Sequence, residues 1–140
     1  EGIKTLRLPG IPPVSAFICY EVIFSGHVLD RSDSPAWLLN ISNDGWYGET
    51  SGPYQHLAMA KTRAVEEGLP LVRATNTGIS TVIDPYGRTI HSLALNVEGF
   101  IDSRLPEAID GETIFAQGGD KVVFILLIGM FVFVLLRKKS

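Results

Sequence analysis

The chain has 140 residues, of which 46% are hydrophobic and 19% are charged, and its formal net charge is −3. This composition excludes an intrinsically disordered chain, and the acidic balance argues against nucleic acid as a partner. The single cysteine, Cys19, permits no internal disulfide. The first ten residues contain neither an initiator methionine nor an apolar signal sequence, so we expect a segment of a longer protein.

The first third of the chain predicts two strands separated by a short helix. The segment "PPVSAFICY" (12–20) has strand character after a Pro-Pro stop, and "EVIFSGHVLD" (21–30) is compatible with a short helix. The apolar run "AWLLNIS" (36–42) predicts a buried strand. The Gly, Asn and Asp content of residues 43–52 predicts a loop after it.

A longer helix is predicted in the middle of the chain. The segment "PYQHLAMAKTRAVEEG" carries Pro53 where a first helical turn tolerates proline and Gly68 where a helix ends. Arg63 and Glu66 are spaced as an i, i+3 pair on this helix, which favours a structural ion pair.

The rest of the globular part predicts further strands. "LPLVRAT" (69–75) and "STVIDPYGRTIHSL" (80–93) have strand character, and the second folds back at the turn formed by residues 84–87. "GFIDSRL" (99–105) predicts one more short strand. Strands that alternate with helices in this way predict an α/β layered domain.

The C-terminal segment predicts a membrane anchor. No charged residue interrupts the apolar run from Val122 to Leu136, which as a helix is about 22 Å long, against about 30 Å for the hydrocarbon core. Lys121 and Arg137 bound the run and can extend to the headgroups, and the basic tail favours a cytoplasmic C-terminus. The alternative is a buried core helix or strand.

Cys19 has two interpretations. A lone cysteine after an apolar run is commonly a small buried side chain. At the end of a strand that turns into a helix, however, backbone N–H groups favour the thiolate and can hold an oxyanion. Glu21 is close, but a carboxylate beside a thiolate opposes ionisation. The residues alone leave both interpretations open.

Four segments together resemble the nitrilase superfamily and, within it, the bacterial apolipoprotein N-acyltransferase family. They are "FICYEVIF", "LLNISNDGWYG", "QHLAMAKTRAVEEGLPLVRATNTGIS" and "VIDPYGR". The resemblance covers about residues 13 to 137 and includes the apolar C-terminal run. It implies part of a four-layer α-β-β-α sandwich, followed here by one C-terminal transmembrane helix.

The resemblance also implies site residues and a reaction. Cys19 matches the family's nucleophile, the Tyr20 N–H would help hold the oxyanion, and Glu21 would be a second carboxylate that positions a lysine. Trp46 and Tyr47 match a loop that admits or holds lipid, although an ordinary loop aromatic is the alternative for Trp46. A phospholipid would acylate the cysteine, and a diacylglyceryl apolipoprotein would accept the acyl chain on its α-amino group. No organic cofactor and no metal is expected.

This chain departs from the family's pattern upstream of the nucleophile. The family's triad Glu and Lys precede the cysteine, but no triad motif is present among the few residues before Cys19. We therefore expect the C-terminal portion of a multi-pass inner-membrane enzyme, with its catalytic domain extracytoplasmic, and no activity for this chain alone. The expected organisation is a nitrilase-like part (1–113), a linker (114–120), a transmembrane helix (121–137) and a cytoplasmic tail (138–140).

Several alternatives remain open at this stage. His56 is expected to have a packing or capping role, His27 and His91 to lie at the surface, and Arg73 to be either structural or a ligand for a phosphate headgroup. For the whole chain, the alternatives are a nitrilase or amidase that hydrolyses small amides and a non-catalytic, membrane-tethered remnant.

Overall fold

The computed structural model describes residues 4–137, and these residues contain one six-stranded mixed sheet. Its strands follow one another across the sheet in chain order, with β2, β3 and β4 parallel and the outer strands antiparallel to their neighbours. They are β1 (Thr5–Leu6), β2 (Val14–Ile18), β3 (Trp37–Ser42), β4 (Leu71–Thr75), β5 (Ser80–Ile83) and β6 (Thr89–Leu93).

Helix α1 (Gly52–Glu67) packs on one face of this sheet. Pro53 lies in its first turn, and Gly68 ends it in the left-handed conformation, where its N–H donates to the Ala64 carbonyl. The predicted helix and its two terminal signals are therefore confirmed. The core between helix and sheet consists of apolar side chains that water does not reach: Phe17, Val22, Val28, Leu38, Ala60, Ala64, Leu71 and Ile83.

Two 3-10 helices lie at the carboxyl ends of β2 and β3. The first, η1 (Cys19–Ile23), replaces the helix predicted over 21–30, which is wrong. Val22 and Val28 are both fully buried, and Gly26 turns the chain between them with a positive φ of 71°. A continuous helix is not formed because the chain turns to bury both valines. The second, η2 (Asp44–Tyr47), lies within the predicted loop.

The strand predicted over 99–105 is also wrong. Ile101 and Leu105 line a cavity of about 260 Å³ together with Trp37, Val72 and Val82, which belong to three different strands. The segment therefore crosses the open face of the sheet and does not join its edge. The predicted hairpin between β5 and β6 is confirmed, since the Gly87 N–H donates to the Asp84 carbonyl at 2.9 Å.

The C-terminal part of the described chain contains two helices. The segment predicted as a linker includes α2 (Ile114–Gly118), whose first turn is capped by the Thr113 hydroxyl at 2.9 Å from the Ala116 nitrogen. Helix α3 (Lys121–Arg137) coincides with the predicted transmembrane helix. Its 17 residues measure about 26 Å. No helix within residues 4–137 is long and apolar enough to cross a membrane, so the structure does not support that prediction. The predicted tail lies outside the described residues.

Candidate active site

The site lies where the parallel strands end. Because β2, β3 and β4 run in the same direction, their carboxyl ends meet at one edge of the sheet. Cys19 directly follows β2, and Asp44 follows β3 after two residues. Helix α1 begins next to them and brings His56 to the same edge.

Cys19 has an unusual backbone conformation. Its φ is +49°, a left-handed value that is unfavourable for a residue with a Cβ atom, and its side chain is half-buried. The Glu21 carboxylate accepts a hydrogen bond from the Ile18 N–H at 2.5 Å, which closes the turn around Cys19. The sequence thus places a sharp strand-to-helix corner at the only cysteine of the chain.

A buried ion pair lies beneath this corner. The Asp44 carboxylate and the Arg73 guanidinium are 2.6 Å apart, and neither side chain has exposed surface. The Ser42 hydroxyl also donates to Asp44, at 2.7 Å, and Arg73 donates to the Asn40 side-chain oxygen. Two charges and two polar groups are therefore joined in one network inside the domain.

Asn40 of this network and His56 of α1 also contact the backbone of Cys19. The His56 Nε2 atom is 3.2 Å from the Cys19 carbonyl oxygen, and the Asn40 amide nitrogen is 3.4 Å from the same oxygen. The other ring nitrogen of His56 faces the network, 3.0 Å from an Asp44 oxygen and 3.0 Å from an Arg73 nitrogen. The corner at Cys19 is thereby connected to β3, β4 and α1.

The network keeps Asp44 ionised. Burial by itself raises the pKa of Asp44, but the Ser42 hydrogen bond, the Arg73 charge and the His56 contact outweigh it and lower the pKa below its ordinary value. Tyr47, at the edge of the site, has a raised pKa because it is partly desolvated and lies near the Asp44 carboxylate.

Aromatic side chains surround the opening of the site. The ring centroids of Tyr20 and Tyr47 lie 6.2 and 5.7 Å from that of His56. A small cavity of about 100 Å³ is lined by these three residues with Gly52, Gln55 and Met59. Trp46, which precedes Tyr47 in the chain, is 87% exposed, so η2 presents a large apolar side chain to the solvent.

The site offers no metal centre. Within residues 4–137, no three His, Cys, Asp or Glu side chains converge in a way that could hold a metal ion. A half-buried thiol at a strand-to-helix corner can act as a nucleophile towards a carbonyl carbon.

The family model for carbon-nitrogen hydrolases matches residues 1–110. The chain belongs to the carbon-nitrogen hydrolase family. The predicted membership of the nitrilase superfamily is therefore confirmed, and so is an α/β fold of this type.

The chain is also similar to curated members of the family. It is 52% identical over 134 residues to the apolipoprotein N-acyltransferase of Bradyrhizobium diazoefficiens, covering 96% of this chain and 25% of that protein. It is 46% identical over 129 residues to that of Rickettsia bellii, covering 90% and 26%. The chain thus spans about a quarter of the length of these relatives.

Solved structures of the family share the fold. An amidase from Nesterenkonia sp. AN1, solved with acrylamide added at its active-site cysteine, matches with a TM-score of 0.53 and 24% identity over 69% of this chain and 40% of its own. A carbon-nitrogen hydrolase from Helicobacter pylori matches with a TM-score of 0.56 and 12% identity over 66% and 40%. At these identities the likeness concerns the fold alone.

The structure brings four of the five predicted site residues of this carbon-nitrogen hydrolase to one edge of the sheet. Cys19, Tyr20 and Glu21 form the corner and the first turn of η1, and Tyr47 lines the small cavity together with Tyr20. Trp46 precedes Tyr47 on η2 with its side chain exposed. The predicted ion pair between Arg63 and Glu66 is confirmed at 2.8 Å.

Sequence reasoning missed the buried network of this carbon-nitrogen hydrolase. Asn40 and Ser42 alternate with apolar residues on β3, and Arg73 occupies the matching position on β4, paired with Asn40. A period-two count would have placed these polar side chains on the inward face with Leu38. No local sequence pattern indicated that Asp44 belongs to this network.

Proposed function

We propose that this chain carries the nucleophile of an apolipoprotein N-acyltransferase, with Cys19 as the residue that is acylated. The observation that carries the proposal is the left-handed corner at Cys19 above a buried network, in a chain 42–52% identical to relatives of that name. The chain spans about a quarter of the length of those relatives. The activity is therefore proposed for a protein of the relatives' length that contains residues 1–140 at the matched position.

In the first step, the Cys19 thiolate attacks the ester carbonyl carbon of a membrane phospholipid. A thioester forms, the ester bond breaks, and the lysophospholipid leaves with the proton that came from the thiol. The Tyr20 backbone N–H donates to the oxyanion of the tetrahedral intermediate. Glu21 closes the turn through the Ile18 N–H and serves as the second carboxylate that positions the family's lysine.

In the second step, the α-amino group of a diacylglyceryl apolipoprotein attacks the thioester. The amide bond forms as the C–S bond breaks, and the proton that the amine loses returns to the Cys19 thiolate, which regenerates the thiol. A thiolate is suited to both steps, because it is a good nucleophile at modest pKa and a good leaving group. The family's triad Glu and Lys are not assigned to residues of this chain.

Trp46 and Tyr47 are proposed as contacts for the acyl chain or the lipid surface. An indole that is 87% exposed contributes little to the core, and Trp46 directly precedes Tyr47, whose ring lines the small cavity beside His56. Exposed apolar groups at the opening of a site are expected where the substrate is a lipid.

We further propose that α3 attaches the domain to the bacterial inner membrane. From Val123 to Leu136 its side chains are exposed and almost all apolar, a surface that water does not favour. Lys121 and Arg137 bound the apolar run and can reach towards lipid headgroups. The domain is then proposed to lie on the extracytoplasmic side of that membrane.

A chimaera tests the proposed reaction. Residues 1–140 replace the matched quarter of the Bradyrhizobium diazoefficiens relative, and acyl transfer from phospholipid vesicles to a diacylglyceryl peptide is measured. We expect phospholipid-dependent N-acylation that Cys19→Ser abolishes. Release of free fatty acid without N-acylation would show a hydrolase instead, and N-acylation that survives Cys19→Ser would refute the proposed nucleophile.

A further inference from the structure

The left-handed conformation of Cys19 has to be held by its surroundings. A residue with a Cβ atom pays a conformational cost at a positive φ, and such a conformation persists where neighbouring groups impose it. Glu21 closes the turn through the Ile18 N–H, and two further side chains contact the Cys19 carbonyl oxygen, His56 through Nε2 at 3.2 Å and Asn40 through its amide at 3.4 Å. The histidine contact is the shorter of the two.

The contacts of His56 determine where its ring carries a proton. A carbonyl oxygen can only accept, so the Nε2 atom facing Cys19 must be the donor. In the neutral ring, Nδ1 then accepts from Arg73 at 3.0 Å. In the imidazolium, Nδ1 donates to Asp44 at 3.0 Å instead. Both forms keep the Nε2–H bond to Cys19 and give Nδ1 one partner within the ion pair, whereas the tautomer protonated at Nδ1 alone would turn the Nε2 lone pair towards the Cys19 carbonyl oxygen.

The same geometry leaves His56 without a nitrogen for the thiol. One ring nitrogen faces the Cys19 carbonyl and the other faces the buried ion pair, so neither is available to take the proton of Sγ. A histidine next to a nucleophilic cysteine usually suggests a base. Here it contacts the backbone of the nucleophile.

We propose that His56 is a positioning residue, whose Nε2–H holds the Cys19 peptide in the left-handed conformation and thereby aims the thiol out of the corner. The ion pair of Asp44 and Arg73 holds the imidazole in place from the other side, so its role is to orient the ring. Rotation of Cys19 to a negative φ would redirect its Cα–Cβ bond and the sulfur with it. The proposal rests on the proposed function in taking Cys19 as the nucleophile.

Two variants of similar shape distinguish the contact made by Nε2 of His56 from the contacts made by Nδ1. The Gln amide nitrogen can reach the position of Nε2, so His56→Gln keeps a donor for the Cys19 carbonyl. The Asn amide nitrogen can reach the position of Nδ1, so His56→Asn keeps a polar contact with Asp44 and loses the contact with Cys19. A role confined to stabilising the ion pair would favour the Asn variant, and a positioning role favours the Gln variant.

The measurement is the rate at which iodoacetamide alkylates the 140-residue chain in non-ionic detergent, followed by intact mass. The single cysteine makes this rate specific to Cys19. We expect His56→Gln to stay within about threefold of the unchanged chain and His56→Asn to fall about tenfold, which is about 1.4 kcal/mol. That is the size of one net hydrogen bond. Alkylation in concentrated urea should be equal in all three.

The Gln variant also separates positioning from base catalysis. Its amide can donate to Cys19 but cannot take a proton from the thiol, so a base role for His56 would slow alkylation of His56→Gln by much more than about threefold from about pH 7 to about pH 9. A positioning role leaves the rate within about threefold of the unchanged chain across that range. The charged and titratable groups that face His56 are the same in both proteins: Cys19 and Tyr20 on η1, Asp44 and Tyr47 on η2, and Arg73 on β4.

Controls and a second measurement complete the test. His91, exposed on β6, gives matched variants, and His91→Gln and His91→Asn should leave the alkylation rate unchanged. If His56→Asn does not fold, the proposal is tested by the ¹⁵N chemical shift of His56 Nε2 in the unchanged chain. This shift should remain that of a protonated nitrogen across the same pH range. Equal rates for the two His56 variants, a faster Asn variant or an unprotonated Nε2 would overturn the proposal. These results do not depend on acyl transfer, so failure of the chimaera would refute the proposed function alone.

Discussion

Asp44→Asn removes the negative charge from a buried ion pair. In the folded protein neither Asp44 nor Arg73 has exposed side-chain surface, and their charged atoms are 2.6 Å apart. The variant leaves the guanidinium buried without a carboxylate partner, because its other contacts within residues 4–137 are Asn40 and His56. Breaking such a pair by removing one partner costs about 3–5 kcal/mol. We expect the free energy of unfolding to fall by that amount at neutral pH.

The decrease in the free energy of unfolding is measured by equilibrium urea unfolding in non-ionic detergent, followed by circular dichroism. The matched control is Asp33→Asn, because the Arg7–Asp33 pair is half-exposed and should contribute less than about 1 kcal/mol. The double variant Asp44→Asn with Arg73→Gln removes both buried charges, so it should be less destabilised than the sum of the single variants.

The sign of the pH dependence follows from the pKa of Asp44, which is lower in the folded protein than in the unfolded chain. The ionised carboxylate therefore stabilises the fold above about pH 4, and this contribution is lost as the pH falls through the folded-state pKa. The difference between the unchanged chain and Asp44→Asn should shrink on acidification. If Asp44→Asn lowers the free energy of unfolding by less than about 1 kcal/mol at neutral pH, or by the same amount in acid as at neutral pH, the account of the network is refuted.

Further predictions concern three other positions. A Cβ at Gly78 would lie 2.6 Å from that of Asp44, so Gly78→Ala should cost about 1–3 kcal/mol and slow alkylation of the cysteine, whereas Gly129→Ala, with open space around it, should do neither. Burial raises the pKa of Glu67, so ionisation of its carboxyl group lowers the free energy of unfolding as the pH rises. In urea unfolding, the free energy of unfolding of Glu67→Gln should therefore fall less between acid and neutral pH than that of the unchanged chain. Trp46→Ala should change the free energy of unfolding by less than about 0.5 kcal/mol and raise the KM for phospholipid in the chimaera.

The elements with strong local signals could be predicted from the sequence. Pro53 and Gly68 delimit α1, and the turn that begins at Asp84 sets the hairpin, because proline fixes φ and glycine tolerates a positive φ whatever surrounds them. The helix expected over 21–30 failed for the opposite reason. Its local sequence is compatible with a helix, but burial of Val22 and Val28 against the sheet determines the path of the chain.

The corner was predictable and the network beneath it was not. A cysteine between a strand and a polar turn indicates a strand end, and resemblance to the family adds its role. The contacts of the Cys19 carbonyl join residues 21 and 37 positions away in sequence, on β3 and on α1. Such pairings arise from the parallel arrangement of the strands and from the docking of α1, which no local pattern specifies.

The central claim is that Cys19 holds the acyl chain as a thioester, and mass spectrometry of the chimaera tests it directly. The protein is incubated with phospholipid vesicles without an apolipoprotein acceptor and then digested. The account predicts that the peptide containing Cys19 gains the mass of one fatty acyl chain, that neutral hydroxylamine removes it, and that Cys19→Ser shows no such gain. An unmodified Cys19 peptide in a chimaera that still transfers acyl chains to its acceptor would contradict the account.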